Sequence, residues 1–70
     1  MRVRTHLRRR REERGFSIRE AAVATGVSHG WLSVLERGYL VATEEQAERL
    51  APVYGPVEGW YPAGVRNVLD

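Results

Sequence analysis

The chain contains no cysteine and no lysine among its 70 residues. Without cysteine, disulfides and thiolate metal sites are excluded, and an intracellular protein is favoured. No apolar run approaches the roughly 20 residues of a membrane-spanning helix, and no signal-peptide pattern is present, so we expect no membrane partner. A domain of this size buries only about 60% of the surface of its unfolded chain. We therefore expect one small domain that depends on its own apolar core.

The sequence patterns that mark enzymes are missing as well. There is no glycine-rich phosphate loop and no His-Glu-x-x-His or other metal spacing. The two histidines, His6 and His29, lie 23 positions apart with no cysteine to complete a metal site. A hydrolytic triad needs a preorganised apolar cleft, which 70 residues hardly provide. We therefore expect no enzymatic activity, no metal and no cofactor.

Positive charge is present only as arginine and is concentrated at the start of the chain. Residues 1–20 hold eight arginines against three acids, whereas residues 21–70 hold three arginines against six acids. The net charge of +2 hides this asymmetry. A basic first third indicates a polyanionic partner, and the alternative is a solvated arginine-rich helix with no partner.

The first helix is predicted over residues 3–14. Val3 and Leu7 begin a face that continues into arginines at helical spacing. Such a stripe means either that arginine stems cover apolar surface or that one guanidinium is paired inside the domain. The sequence leaves both interpretations open.

Two short helices with a tight turn between them form the centre of the sequence. They are predicted over residues 17–25, opened by a Ser-Glu capping box, and over residues 28–37, opened by the N-cap Ser28. Gly26 suits the left-handed backbone of the turn, and Gly38 suits the end of the second helix. This is the arrangement of a helix-turn-helix, in which the second helix is presented to the DNA major groove.

A further amphipathic helix is predicted after this motif. A capping box at Thr43 starts it, and Pro52 is placed to kink the helix or end it early. Residues 57–61 predict one more turn, which brings Trp60 against the core. The predicted organisation is a domain over residues 1–64 and a tail over residues 65–70.

Three stretches of sequence carry a likeness to a known family: Arg11-Glu12-Glu13-Arg14-Gly15-Phe16-Ser17, then Gly26-Val27-Ser28, then Leu32-Ser33 with Glu36-Arg37-Gly38. They resemble the lambda-repressor/Cro-like (XRE) helix-turn-helix family. The resemblance implies a compact all-α domain of four to five helices that binds double-stranded DNA as a small transcriptional regulator, with the helix over 28–37 in the major groove. It further implies a homodimer, cytoplasmic and nucleoid-associated, of prokaryotic or phage origin.

Roles are expected for individual residues, some from the resemblance and some from their positions in the sequence. The residues expected to contact bases are His29, Gly30, Ser33 and Val34. Phosphate contacts are expected from Ser17, Arg19, Ser28 and Arg37. A buried ion pair between the first and third helices is expected from Arg11 and Glu36. The candidate dimer contacts are Trp60, Tyr61, Val65 and Val68.

The expected recognition face is short of side chains that read bases in a bidentate way. It has no glutamine, asparagine or arginine before Arg37, so affinity would depend heavily on phosphate neutralisation. In the family geometry, at most one arginine of the run 8–10 would face DNA. Two interpretations stay open for Arg2 and Arg4: a frayed, charged terminus, or an arm on the DNA backbone or in the minor groove.

The chain departs from the family pattern at four positions. Ile18 stands where many members have a phosphate-contacting glutamine, so one positioning contact is expected to be missing. Ala21 and Thr25 replace larger apolar residues, which predicts a looser core. Pro62 interrupts the last helix, which predicts an altered dimer contact.

An alternative function is that of a protein-binding module built on the same fold, antitoxin-like or an inhibitor of a transcription or recombination protein. It requires an exposed apolar patch. The residues that would form this patch are Val23, Trp31, Val34, Leu40 and Val41.

Overall fold

Four helices and one 3₁₀ turn make up the part of the chain that the computed structural model describes, residues 2–62. The elements are α1 (Leu7–Glu13), α2 (Ile18–Thr25), α3 (His29–Glu36), α4 (Glu44–Tyr54) and the 3₁₀ turn Val57–Gly59. The predicted all-α class is confirmed for these residues. Each helix among them falls short of the length and apolar character that a bilayer crossing needs. The predicted domain limit at residue 64 and the tail over 65–70 lie outside the described residues.

Both predicted capping boxes are formed. The Ser17 hydroxyl accepts a hydrogen bond from the Glu20 backbone N–H at 3.1 Å, and the Glu20 carboxylate accepts one from the Ser17 N–H at 2.8 Å. This second bond lowers the pKa of Glu20 below its ordinary value. Thr43 and Gln46 repeat the arrangement at the start of α4. These reciprocal bonds satisfy N–H groups that a helix cannot pair internally, which fixes where α2 and α4 begin.

The turn between α2 and α3 also follows its local sequence. Gly26 has a left-handed backbone with φ of 74°, and its N–H donates to the carbonyl of Ala22 at 2.9 Å. Ser28 then caps α3 by accepting a hydrogen bond from the N–H of Trp31 at 3.2 Å. Only Val27 separates these two residues, so α2 and α3 are joined in the predicted helix-turn-helix arrangement.

The core is built from all four helices, one residue of the connection between α3 and α4, and the residue that follows the 3₁₀ turn. Its buried apolar members are Leu7, Ala21, Leu32, Leu35, Ala42, Ala47, Leu50, Val53, Tyr54 and Trp60. Ala21 is fully buried, and the Thr25 hydroxyl donates to the Ala21 carbonyl at 2.8 Å. Of the small residues of α2, Ala21 is therefore packed within the core, whereas Ala24 is exposed. α4 continues through Pro52, which is exposed, so the predicted early end does not occur.

The prediction that the first helix begins at residue 3 is wrong, because α1 begins at Leu7. Residues 2–6, which we call the N-terminal strap, instead run along the end of α3. The Val3 N–H donates to the carbonyl of Gly38 at 2.7 Å, and the Thr5 hydroxyl donates to the carbonyl of Glu36 at 2.8 Å. A helix leaves its last carbonyls without internal partners. The strap supplies a partner for the carbonyl of Glu36 and for those of Arg37 and Gly38, which follow α3. This pairing outweighs helix formation in residues 3–6.

Gly38, two residues after the end of α3, is in direct contact with the strap. We expect Gly38→Ala to lower the free energy of unfolding by more than the about 1–2 kcal/mol that a left-handed alanine costs by itself. Its φ is 85°, and an added methyl group would overlap the Val3 carbonyl. Gly26→Ala is the matched control, because φ is 74° there and the methyl would meet open space. Urea unfolding measures the free energy of unfolding of both variants. Equal losses of that free energy would mean that the strap leaves room for a methyl group at Gly38.

Candidate nucleic-acid interface

α3 presents one face to the core and the opposite face to solvent. Leu32 and Leu35 are fully buried, which fixes the rotation of the helix about its axis. On the outward side, His29 and Gly30 are exposed and Val34 is 37% exposed. Ser33, half-buried, follows His29 by one helical turn. The four residues predicted to contact bases therefore share one accessible surface, which we call the recognition face.

The recognition face consists of a polar row and an apolar row. His29 and Ser33 are four positions apart and carry hydrogen-bonding groups, whereas Gly30 and Val34 are four positions apart and carry none. A Cβ at Gly30 would meet no described atom within 4 Å, so the backbone is open to close approach there. The polar row can hydrogen-bond base edges, and the apolar row suits the thymine methyl group in the major groove.

Two of the predicted phosphate contacts flank α3, with Ser28 directly before it and Arg37 directly after it, and the other two, Ser17 and Arg19, lie at the start of α2. Ser17 and Ser28 use their hydroxyl oxygens as acceptors in the caps of α2 and α3, and each O–H still has its own proton to donate. Arg19 and Arg37 are exposed. Cap hydroxyls and guanidinium groups are donors that hold DNA phosphates in general.

Each arginine of the run 8–10 on α1 contacts another group of the domain. Arg8 and Arg9 pair with the glutamates four residues later, at 3.3 and 3.4 Å, with both pairs exposed. Arg10 donates its Nε–H to the carbonyl of Tyr54 at 2.6 Å, which caps the end of α4. The densest cluster of positive charge in the sequence therefore does not form a continuous free basic surface.

Arg11 and Glu36 form a buried bidentate pair between α1 and α3. Arg11 Nε donates to Oε2 at 2.7 Å and Nη2 donates to Oε1 at 3.1 Å, with the two side chains 8% and 6% exposed. Nη1 donates to the carbonyl of Phe16 at 2.8 Å, and the Tyr54 hydroxyl donates to Glu36 Oε2 at 2.5 Å. Hydrogen bonding to Glu36 raises the pKa of Arg11, and burial raises that of Tyr54. The network joins α1, α3 and α4, and it holds the recognition face in place.

The strap fixes a further arginine beside α3, which sequence reasoning did not anticipate. Arg2 donates its Nε–H to the carbonyl of Arg37 at 2.8 Å, and its guanidinium carbon lies 5.9 Å from the centre of the Tyr39 ring. Arg2 is therefore anchored, and the frayed-terminus interpretation is wrong for it. The partner residues lie 35 positions away, so no local pattern could have shown this contact.

The apolar patch required by the protein-binding alternative is only partly exposed. Val23 is 86% exposed, but Trp31 and Leu40 pack against the core and Val41 is half-buried. Tyr39 is 59% exposed, with Arg2 over its ring. The five residues named for that patch are thus divided between solvent and core.

Trp60, one of the candidate dimer contacts, lies inside the core. It has no exposed surface, its indole N–H donates to the carbonyl of Gly55 at 2.9 Å, and its ring meets Tyr54 edge-on at 5.9 Å. In this conformation the Trp60 side chain has no exposed surface with which to contact a second copy of the chain. Tyr61 is half-buried, whereas Val65 and Val68 lie outside the described residues.

Comparison with known proteins agrees with this geometry. A family model described as a helix-turn-helix domain matches residues 2–56, which is most of the chain. No curated protein and no solved structure matches with significance. The match includes all four helices and the strap.

Proposed function

The chain belongs to the helix-turn-helix domain family, and we propose that it reads a specific sequence in double-stranded DNA as a small transcriptional regulator. The observation that carries the proposal is the recognition face. Its residues point away from the core while Leu32 and Leu35, on the other side of α3, are fully buried. A helix that is packed on one side and accessible on the other suits insertion into a groove.

The diameter of an α-helix with its side chains, about 10–12 Å, suits the major groove, which is about 12 Å wide. Ser17, Ser28, Arg19 and Arg37 would then contact phosphates and set the register of the helix on the duplex. Because the face has few bidentate readers, sequence preference would come from the thymine methyl, single hydrogen bonds and DNA shape.

A symmetric dimer is part of the proposal. One short recognition helix with few base contacts gives weak discrimination, and two copies on half-sites about one helical turn apart would multiply it. With Trp60 occupied in the core, the candidate contacts that remain are Tyr61, Val65 and Val68. Enrichment of a palindrome would show the symmetry directly.

The testing experiment is selection from a pool of random duplexes at two salt concentrations, followed by sequencing of the retained DNA. We expect an enriched palindrome, with retention that weakens as salt rises because bound arginines release counterions. Retention without enrichment would indicate an architectural role. Absence of binding at low salt would favour the protein-binding alternative, to which Val23 and Tyr39 would contribute exposed surface.

Val34→Ala tests the apolar row of the recognition face. On the enriched duplex we expect weaker binding by about 1–3 kcal/mol, comparable to one mismatched base pair. The thymines of the duplex are then replaced one at a time by uracil, which lacks the methyl group. At one position this replacement should weaken binding of the original chain and leave the affinity of Val34→Ala unchanged. Val23→Ala is the matched control, because Val23 is 86% exposed on α2. Equal effects of the two substitutions would remove Val34 from the interface.

A further inference from the structure

A cleft of about 350 Å³ lies beside the recognition face, between the strap, α1, the start of α2 and the end of α3. Its walls include Arg2 of the strap, Arg8 of α1, Ser33 of α3, and Arg37, which directly follows α3. Ile18, the first residue of α2, adds an apolar side chain. We call this the arginine cleft. It adjoins the polar row of the recognition face through Ser33.

The arginine cleft is positive because the glutamate that lines it is already neutralised. Glu36 accepts hydrogen bonds from Arg11 at both carboxylate oxygens, and Arg11 also lines the cleft. This pair adds no net charge. The charges of Arg2, Arg8 and Arg37 remain, and that of Arg8 is shared with Glu12 in an exposed pair.

Two of these guanidinium groups are well placed to hold an anion. Arg2 donates its Nε–H to the backbone carbonyl of Arg37. This bond holds the guanidinium of Arg2 close to the backbone of Arg37. Within residues 2–62, the Nη groups of Arg2 and the guanidinium of Arg37 make no hydrogen bond to other side chains or to the backbone. Guanidinium N–H groups in a planar fork match the oxygen geometry of a phosphate.

We propose that the arginine cleft holds one phosphodiester of the DNA backbone, adjacent to the base pairs that α3 contacts. The proposal rests on the proposed DNA binding and assigns the contact to Arg2 and Arg37, while Ser33, at the edge of the cleft, stays with the polar row of the recognition face. Ile18 offers no donor at this place. The strap therefore supplies through Arg2 a contact that the first residue of α2 cannot make.

The test is the salt dependence of affinity for a random-sequence duplex, measured with the whole chain and three variants. Arg2→Gln and Arg37→Gln each remove one charge from the cleft. Arg9→Gln removes one charge from the exposed Arg9–Glu13 pair, which does not line the cleft. We expect the slope of log affinity against log salt to become shallower by up to about 0.9 for each cleft variant and to stay nearly constant for Arg9→Gln.

A second measurement avoids any effect of the variants on folding. In the unaltered chain, arginine side-chain N–H resonances are followed by NMR during titration with the same duplex. We expect those of Arg2 and Arg37 to shift and those of Arg9 to stay in place. Equal slope changes for all three variants, or an unmoved Arg2 resonance with DNA bound, would overturn the cleft proposal alone. If the unaltered chain binds no duplex, the proposed function fails before the variants are compared.

Discussion

Arg11→Ala is expected to lower the free energy of unfolding by about 3–5 kcal/mol, because it leaves the carboxylate of Glu36 buried without its charged partner. The pair is bidentate at 2.7 and 3.1 Å, and the Glu36 side chain is only 6% exposed. The same substitution also removes the donor to the Phe16 carbonyl. Proteins are stable by about 5–15 kcal/mol, and a domain of this size lies near the lower end of that range. A loss of this size therefore approaches complete unfolding.

Chemical denaturation followed by helical circular dichroism measures this loss. Arg9→Ala is the control, because its pair with Glu13 is exposed and a surface substitution of this kind changes stability by about 0.5 kcal/mol or less. The double variant Arg11→Met with Glu36→Gln should recover much of the stability, since it removes both charges and keeps an acceptor for the Tyr54 hydroxyl. A loss below 1 kcal/mol for Arg11→Ala would mean that the pair is open to water in solution.

The helices of the central motif could be predicted because their signals are local. Ser17 and Glu20 are three residues apart, and Gly26 ends α2 through a bond to a carbonyl four residues earlier. Interactions of this kind depend on neighbouring residues alone, so a sequence pattern contains them. The limits of α2 and α3 accordingly agree with the predicted ranges to within one residue at each end.

The strap could not be predicted for the opposite reason. Residues 3–6 carry an ordinary helical pattern, but their partners are the carbonyls at the end of α3, more than 30 positions along the chain. A non-local hydrogen bond of this type overrides a weak helical preference. The residues near Val3 in the sequence contain no signal that predicts this bond. The same limit hid the position of Arg2, which depends on the Arg37 carbonyl and the Tyr39 ring.

For the candidate site, the resemblance assigned residue types to the recognition face, whereas the state of each arginine needed the fold. In sequence, the run Arg8-Arg9-Arg10 is the strongest basic signal. In the structure, Arg10 caps α4 and the other two have glutamate partners. Charge density along a sequence thus overestimates the charge available to a partner, because arginines also satisfy carbonyls and carboxylates within the domain.

Trp60→Ala is expected to lower the free energy of unfolding by about 3–5 kcal/mol, the usual cost of removing a large buried aromatic side chain. The indole has no exposed surface, packs edge-on against Tyr54, and donates to the Gly55 carbonyl. The backbone carbonyl of Trp60 also accepts from the N–H of His6, so loosening this residue should release one end of the strap.

The control for this substitution is Trp31→Ala, because Trp31 is only half-buried and should cost less. Thermal unfolding at several protein concentrations separates a core role from the dimer role considered for Trp60. A core residue lowers the melting temperature of the variant equally at every concentration, whereas loss of a dimer contact lowers it most where the original chain is associated. A loss of melting temperature that depends on concentration would contradict the core role and would mean that Trp60 contributes to the dimer contact.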